Sequence, residues 1–240
     1  MRFFSLLSAF TLPLAGSEIP KAIDPRIVVE LVAEAPQIVT PTGLGVDSKG
    51  RVLVIESHTH FRPGDYEGPK RDRVLLFSPK TKSKGSVFYE GLLMGMDICV
   101  NKDDWVYLAE RNRILRVMDT TGDGKADQQE DIITLKTTGV YPHNGLSGLC
   151  FDLQGNLVFG LGENLGHPYT MVGTDGKKII GAKGIGGGVF RCTADGRNLE
   201  QVARGGGGQR ARERRRRVRG VQAQQAVQPP LNAVPERVPH

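Results

Sequence analysis

The chain has 240 residues, 39% of them hydrophobic and 24% charged, with 31 glycines; this fits a soluble globular protein with a buried core. Its formal charge of +6 is local: of 32 basic and 26 acidic residues, eight Arg and two Glu fall in 205–240, leaving residues 1–204 balanced at 24 and 24. The globular part is neutral, so no nucleic-acid partner is expected.

The chain opens MRFFSLLSAFTLPLAGS. One basic residue, an apolar run and then Ala15, Gly16 and Ser17 form the pattern of a secretory signal peptide over residues 1–17. The run is too short to span a bilayer, and no later stretch is long and apolar enough to do so. Export to the periplasm or beyond is the expectation. The three cysteines, Cys99, Cys150 and Cys192, have no CxxC spacing and sit in apolar stretches, so they read as buried thiols. There is no CxxCH, hence no haem on this chain.

From Pro41 a pattern repeats. PTGLGVDSKGRVLVIE (41–56), GMDICVNKDDWVYLAE (95–110) and SGLCFDLQGNLVFGLGE (147–163) are each strand, polar turn, strand, with an acidic residue near the end. The strand cores are β-branched or aromatic without helical period. Further strand pairs, 73–78 with 86–89 and 114–118 with 132–135, lie between them, and GVFRCTADGRNLEQVAR from Gly188 reads as the start of a fourth unit. A period of about 50 residues with four strands each predicts an all-β β-propeller over 24–204, about three to four blades of a six-bladed ring. A β-sandwich would not need so long a repeat.

Three stretches carry candidate chemistry. In ESHTHFRPGDYEGPKRDRV (56–74), His58 and His60 with Glu56 or Asp65 could ligate a metal, or be polar residues facing a channel. In DTTGDGKADQQE (119–130), Asp119, Thr121, Asp123, the Lys125 carbonyl, Asp127 and Glu130 have the ligand spacing of a calcium loop, with Gly124 at the turn. Its flanks are short and β-rich, so the expectation is a loop between two strands; the alternative is a polar turn whose carboxylates serve its own N–H groups. In YPHNGLSG, His143 precedes a predicted inner strand, where a propeller's channel opens and an imidazole can act as a base. Spacing alone favours a plainer role, a hydrogen bond to a loop carbonyl.

Residues 205–240 (GGGGQRARERRRRVRG…) break every pattern. A disordered basic tail, an RNA- or membrane-binding arm and translation in a shifted frame compete, and the shifted frame is preferred.

PTGLGVDSKGRVLVIESHTHFRP, MDTTGDGKAD and HNGLSGLCFDLQGNLVFGLGE together resemble the membrane-bound dehydrogenases of planctomycete-type bacteria, whose N-terminal propeller is similar to soluble quinoprotein glucose dehydrogenase. The resemblance covers residues 20–204. It implies oxidation of a sugar or alcohol with pyrroloquinoline quinone (PQQ), with His143 taking the substrate's hydroxyl proton, and a structural role for Asp119, Asp123 and Asp127. The later blades that would supply cofactor-binding Arg and Lys, and the haem domain or other electron acceptor, are absent from the pattern. The rival reading is a non-catalytic propeller module binding carbohydrate or a protein partner.

Overall fold

The computed structural model describes residues 19–60, 62–78, 84–141, 144–184 and 186–204. Residues 1–17, expected to be a signal peptide, the tail 205–240 and His143 lie outside them. Among the described residues the protein is built almost entirely of antiparallel strands. Blade one is β1 (Pro41–Val46), β2 (Val52–Glu56), β3 (Asp72–Phe77) and β4 (Ser86–Leu92), paired in that order. Blade two is β5 (Gly95–Val100), β6 (Val106–Glu110), β7 (Arg113–Met118) and β8 (Gln128–Thr137). Blade three begins with β9 (Leu146–Phe151) and β10 (Leu157–Leu161).

The hairpin turns explain why these stretches fold locally. Asp47 Oδ1 accepts from the N–H groups of Lys49 and Arg51, Asn101 Oδ1 from Asp103 and Trp105, and Asp152 Oδ1 from Gln154 and Asn156. Each turn is thus closed by an Asx side chain. The fourth residue of each is left-handed: Gly50 at φ 73°, Asp104 at 61° and Gly155 at 79°. Where Asp104 replaces glycine, its carboxylate accepts from Ser48 N (2.9 Å) and Ser48 Oγ (2.6 Å), tying the turns of blades one and two together.

Burial decides how the sheets are arranged. All five residues of β6 are buried, but they serve two cores. Val106 and Leu108 pack with Leu53, Ile55, Val74 and Leu76 of blade one, while Tyr107 and Ala109 pack with Leu146, Phe159 and Phe190 of blade three. The period-2 alternation of a strand gives each sheet two apolar faces, each shared with a different neighbour. β1 packs against β5, and β5 against β9, so the first strands of the blades gather along a common axis. This is a β-propeller, with three blades among the described residues. At roughly 1.5–3 kcal/mol per buried large apolar side chain, the two inter-blade cores dominate its cohesion. The outer face of blade one, with Val54, Leu75 and Phe77, is covered by Ala33 and Ile38 of the entering chain.

The unit expected at Gly188 is not a fourth blade. The strands β11 (Tyr169–Gly173) and β12 (Lys178–Gly181) leave blade three after β10 and pair β11 with the long β8, extending blade two to six strands. The chain then returns as β13 (Gly188–Cys192), which pairs with β10, and β14 (Glu200–Arg204). The inserted hairpin covers an edge that ten residues of β8 would otherwise leave open. It is tied back to blade three by Thr174 N to the Gly196 carbonyl (3.0 Å) and by Asn198 N to Asp175 (2.9 Å). The cysteines also differ from expectation. All three are free; Cys192 is buried and Cys99 half-buried, but Cys150 is exposed.

Candidate functional site

Up-and-down connectivity sends the tight turns 47–51, 101–105, 119–127 and 152–156 to one end of the blades. The opposite end receives the described residues of the broad loop, 57–60 and 62–71, the link 93–94, residues 111–112, residues 138–141 and 144–145, and the segment 162–168. The calcium-type loop is therefore at the end opposite residues 138–141 and 144–145.

At the broad-loop end, blades one and two share a device. Glu56 closes β2 and Glu110 closes β6. Glu56 Oε1 accepts from Val39 N (2.9 Å), two residues before β1, and Oε2 from Arg73 Nε (2.5 Å). Glu110 Oε1 accepts from Leu93 N (2.8 Å), two residues before β5, and Oε2 from Arg113 Nε (2.6 Å). Each carboxylate thus holds the entry to its own inner strand and is neutralised by an arginine of the third strand. In blade three the same register position, opposite the first residue of the inner strand, is Leu161.

Blade one adds to this device. His58, 7% exposed, places Nε2 2.9 Å from Glu56 Oε2 and Nδ1 2.5 Å from the Tyr66 hydroxyl. Burial would push the Glu56 carboxyl up, but hydrogen bonds from Arg73, His58 and the Val39 amide outweigh it and hold Glu56 below the usual carboxylate range. Glu56 is therefore an acceptor, His58 Nε2 carries the hydrogen, and in the neutral ring Nδ1 accepts from the Tyr66 O–H. The backbone beneath is fixed by Asp72, fully buried. Its Oδ1 accepts from His58 N (2.5 Å) and Thr59 N (2.7 Å), and its Oδ2 from Thr59 Oγ1 and Gly95 N (both 2.8 Å). Gly68 lets the returning loop cross Tyr66, since a Cβ there would run into the phenol ring.

The sequence grouped His58 and His60 as a metal pair with Glu56 or Asp65, or as channel residues. The structure directs the His58 ring into Glu56 and Tyr66. The partners that sequence reasoning missed are Tyr66, Asp72 and Arg73. All lie within the stretch that drew attention, but the eight-residue excursion that brings Tyr66 back to His58 has no periodicity to read.

Arg111, at the place Ser57 takes in blade one, donates to the Gly139 carbonyl, and its own carbonyl accepts from Leu146 N (3.2 Å). It thus lies beside Gly139 and Leu146. Burial lowers its guanidinium's pKa, and no carboxylate among the described residues pairs with it.

At the other end, the loop between β7 and β8 joins two strands, as its flanks predict. Asp119 accepts from Gly122 N (2.7 Å) and Gly124 N (2.9 Å), Asp123 from Lys125 N (2.9 Å), and Asp127 from the N–H groups of Thr120 and Thr121. Glu130 is on β8, paired with Arg116 at 2.5 Å. The ligand types suit calcium, but in this arrangement the carboxylates serve the turn and an arginine. Among the described residues, no three His, Cys, Asp or Glu side chains converge as a metal site.

With the fold and this end of it described, comparison with known proteins adds a family. The family described as "Domain of unknown function (DUF7133)" matches residues 21–237. The chain belongs to the DUF7133 family. No curated protein matches it. Among solved structures, this DUF7133 chain is similar to a streptogramin B lyase (17% identity, TM-score 0.36, 60% of this chain and 40% of that one). It is also similar to virginiamycin B lyase from Staphylococcus aureus (16%, 0.36, 67% and 54%) and to a chain of a nidogen/laminin complex (14%, 0.44, 72% and 63%). The DUF7133 chain thus spans about half the length of these structures. No helix among its described residues is long and apolar enough to cross a membrane.

Proposed function

We propose that this DUF7133 chain is part of an exported quinoprotein-type dehydrogenase that oxidises a sugar or alcohol, with His143 as the base. The observation that carries the proposal is Arg111, a half-buried guanidinium without a carboxylate partner among the described residues, bonded to Gly139 and Leu146, the residues that flank His143 in sequence. A desolvated cation there suits an anionic cofactor, and PQQ is a tricarboxylate whose quinone, when bound, would take the substrate's hydride. For the chain's own residues, the roles are anion binding by Arg111 and proton removal from the substrate hydroxyl by His143.

The test is reconstitution with PQQ and calcium, followed by dye reduction over a sugar and alcohol panel. Arg111→Ala should weaken PQQ binding, measured by fluorescence quenching, and His143→Ala should abolish turnover while leaving binding intact. An absence of PQQ binding to wild-type protein sinks the proposal and leaves a carbohydrate- or protein-binding propeller module. A calcium ion in the 119–130 loop is a separate proposal, supported by ligand spacing; engagement of Glu130 requires it to leave Arg116.

A further inference from the structure

Blade two carries the shared device in its plain form at the end of its second strand: a glutamate, an arginine and a captured N–H. Asn112 occupies there the place of His58. Blade one has the same three parts in Glu56, Arg73 and Val39 N, then adds a buried imidazole and a phenol to the carboxylate. The resulting chain runs from a buried carboxylate through a buried imidazole to a partly exposed tyrosine: Glu56 is 1% exposed, His58 7% and Tyr66 37%. Carboxylate, imidazole and hydroxyl in this order, at 2.9 and 2.5 Å, is the arrangement that activates a hydroxyl by giving its proton a place to go.

We infer that Glu56, His58 and Tyr66 form a proton relay that makes the Tyr66 phenol a proton-exchanging group for a hydroxyl-bearing ligand at the broad-loop end of blade one. As the ligand's O–H proton passes to Tyr66 Oη, the phenol proton passes to His58 Nδ1. The ligand is left as alkoxide, Tyr66 as neutral phenol and His58 as imidazolium. Tyr66 touches the ligand; His58 and Glu56 act through it. The charged groups facing the imidazole favour this step. Glu56 and Arg73 cancel, and Asp72, bonded to the His58 backbone N–H, leaves a formal charge of −1 that the imidazolium neutralises. The inference is independent of the redox reading, since it needs neither quinone nor His143.

The relay is tested without knowing the ligand by labelling with an aryl sulfonyl fluoride and mapping the sites by mass spectrometry. In that reaction the S–F bond breaks, an O–S bond forms at Tyr66 Oη, fluoride leaves and the phenol proton goes to His58. N-acetyltyrosine amide, added to the same solution, is the reference. At pH 7.5 Tyr66, 37% exposed, should label about tenfold faster than the reference, a modest part of the roughly 10²–10⁴-fold that a positioned base contributes. In His58→Gln the Tyr66 rate should fall to that of the reference, and the pH dependence of the rate should change. A Tyr66 rate in wild-type protein no greater than that of the reference, which needs no variant to fold, overturns the inference. So does an unchanged Tyr66 rate or pH profile in folded His58→Gln.

Discussion

Replacing Asp72 with alanine tests the reasoning about the broad-loop end directly. Its carboxylate accepts four hydrogen bonds, three of them from the backbone N–H groups of His58, Thr59 and Gly95. It therefore joins the loop after β2 to the first residue of β5 in the next blade. Thr59 Oγ1, held by Asp72, in turn accepts from Met94 N at 2.7 Å. Alanine leaves three buried N–H groups without an acceptor, each costing about 1–3 kcal/mol. Partial entry of water brings the expected sum to roughly 3–6 kcal/mol. For a domain of this size each kcal/mol moves Tm by about 2–4 °C, so Asp72→Ala should lower Tm by roughly 6–24 °C in a calorimetric scan. Asp72→Asn, which keeps one carbonyl oxygen but turns an NH₂ toward donors, should fall between. Glu67→Ala, on the same loop but exposed, should change stability by no more than about 0.5 kcal/mol. A loss in Asp72→Ala no larger than that of Glu67→Ala would show that the four contacts do not hold the blades together.

Other measurements follow from the same geometry. Glu56 is held below the usual carboxylate range when folded, so its contribution is complete above the ordinary glutamate value of 4.5 and is lost as pH falls through its folded value. Glu56→Gln should be less stable than wild type at pH 7, and the gap should narrow as pH drops below about 4.5; a gap that is constant from pH 7 to 3 contradicts this. Burial pushes the Cys99 and Cys192 thiols up to about 12, while Cys150 is exposed. Ellman's reagent at pH 8 should therefore titrate one thiol quickly and the other two only after unfolding; fast reaction in Cys150→Ser would refute the assignment. Calcium should raise Tm, Asp123→Ala should abolish the rise, and Arg116→Ala, which releases Glu130, should enlarge it. An unresponsive wild type and Arg116→Ala would leave the 119–130 loop as a plain turn.

Much of the propeller was legible because its causes are local. Asp47, Asn101 and Asp152 close equivalent turns with their own side chains, and the apolar strands on either side follow from the two-faced burial of a blade between neighbours. That local regularity also misled. GVFRCTADGRNLEQVAR has the strand–turn–strand form of a blade's first half, yet β13 and β14 are the outer half of blade three. Strand pairing is a choice among partners far apart in sequence, and the free edge of β8 drew the 169–181 hairpin away. The candidate site was legible only in part. His58 and Glu56 stand two residues apart and invite pairing, whereas Tyr66 and Asp72 reach them through a loop whose path is fixed by Asp72 itself and by the ring's contact with Gly68.

The sequence by itself determined the strands, their turns, the repeat and the balanced charge of residues 1–204, because these depend on neighbours within a few residues. Only the tertiary structure decided which strands share a blade, which end of the propeller each loop occupies, and that a buried histidine links a glutamate to a surface tyrosine. Those depend on which distant surfaces exclude water together, and on where a buried charge finds its partner.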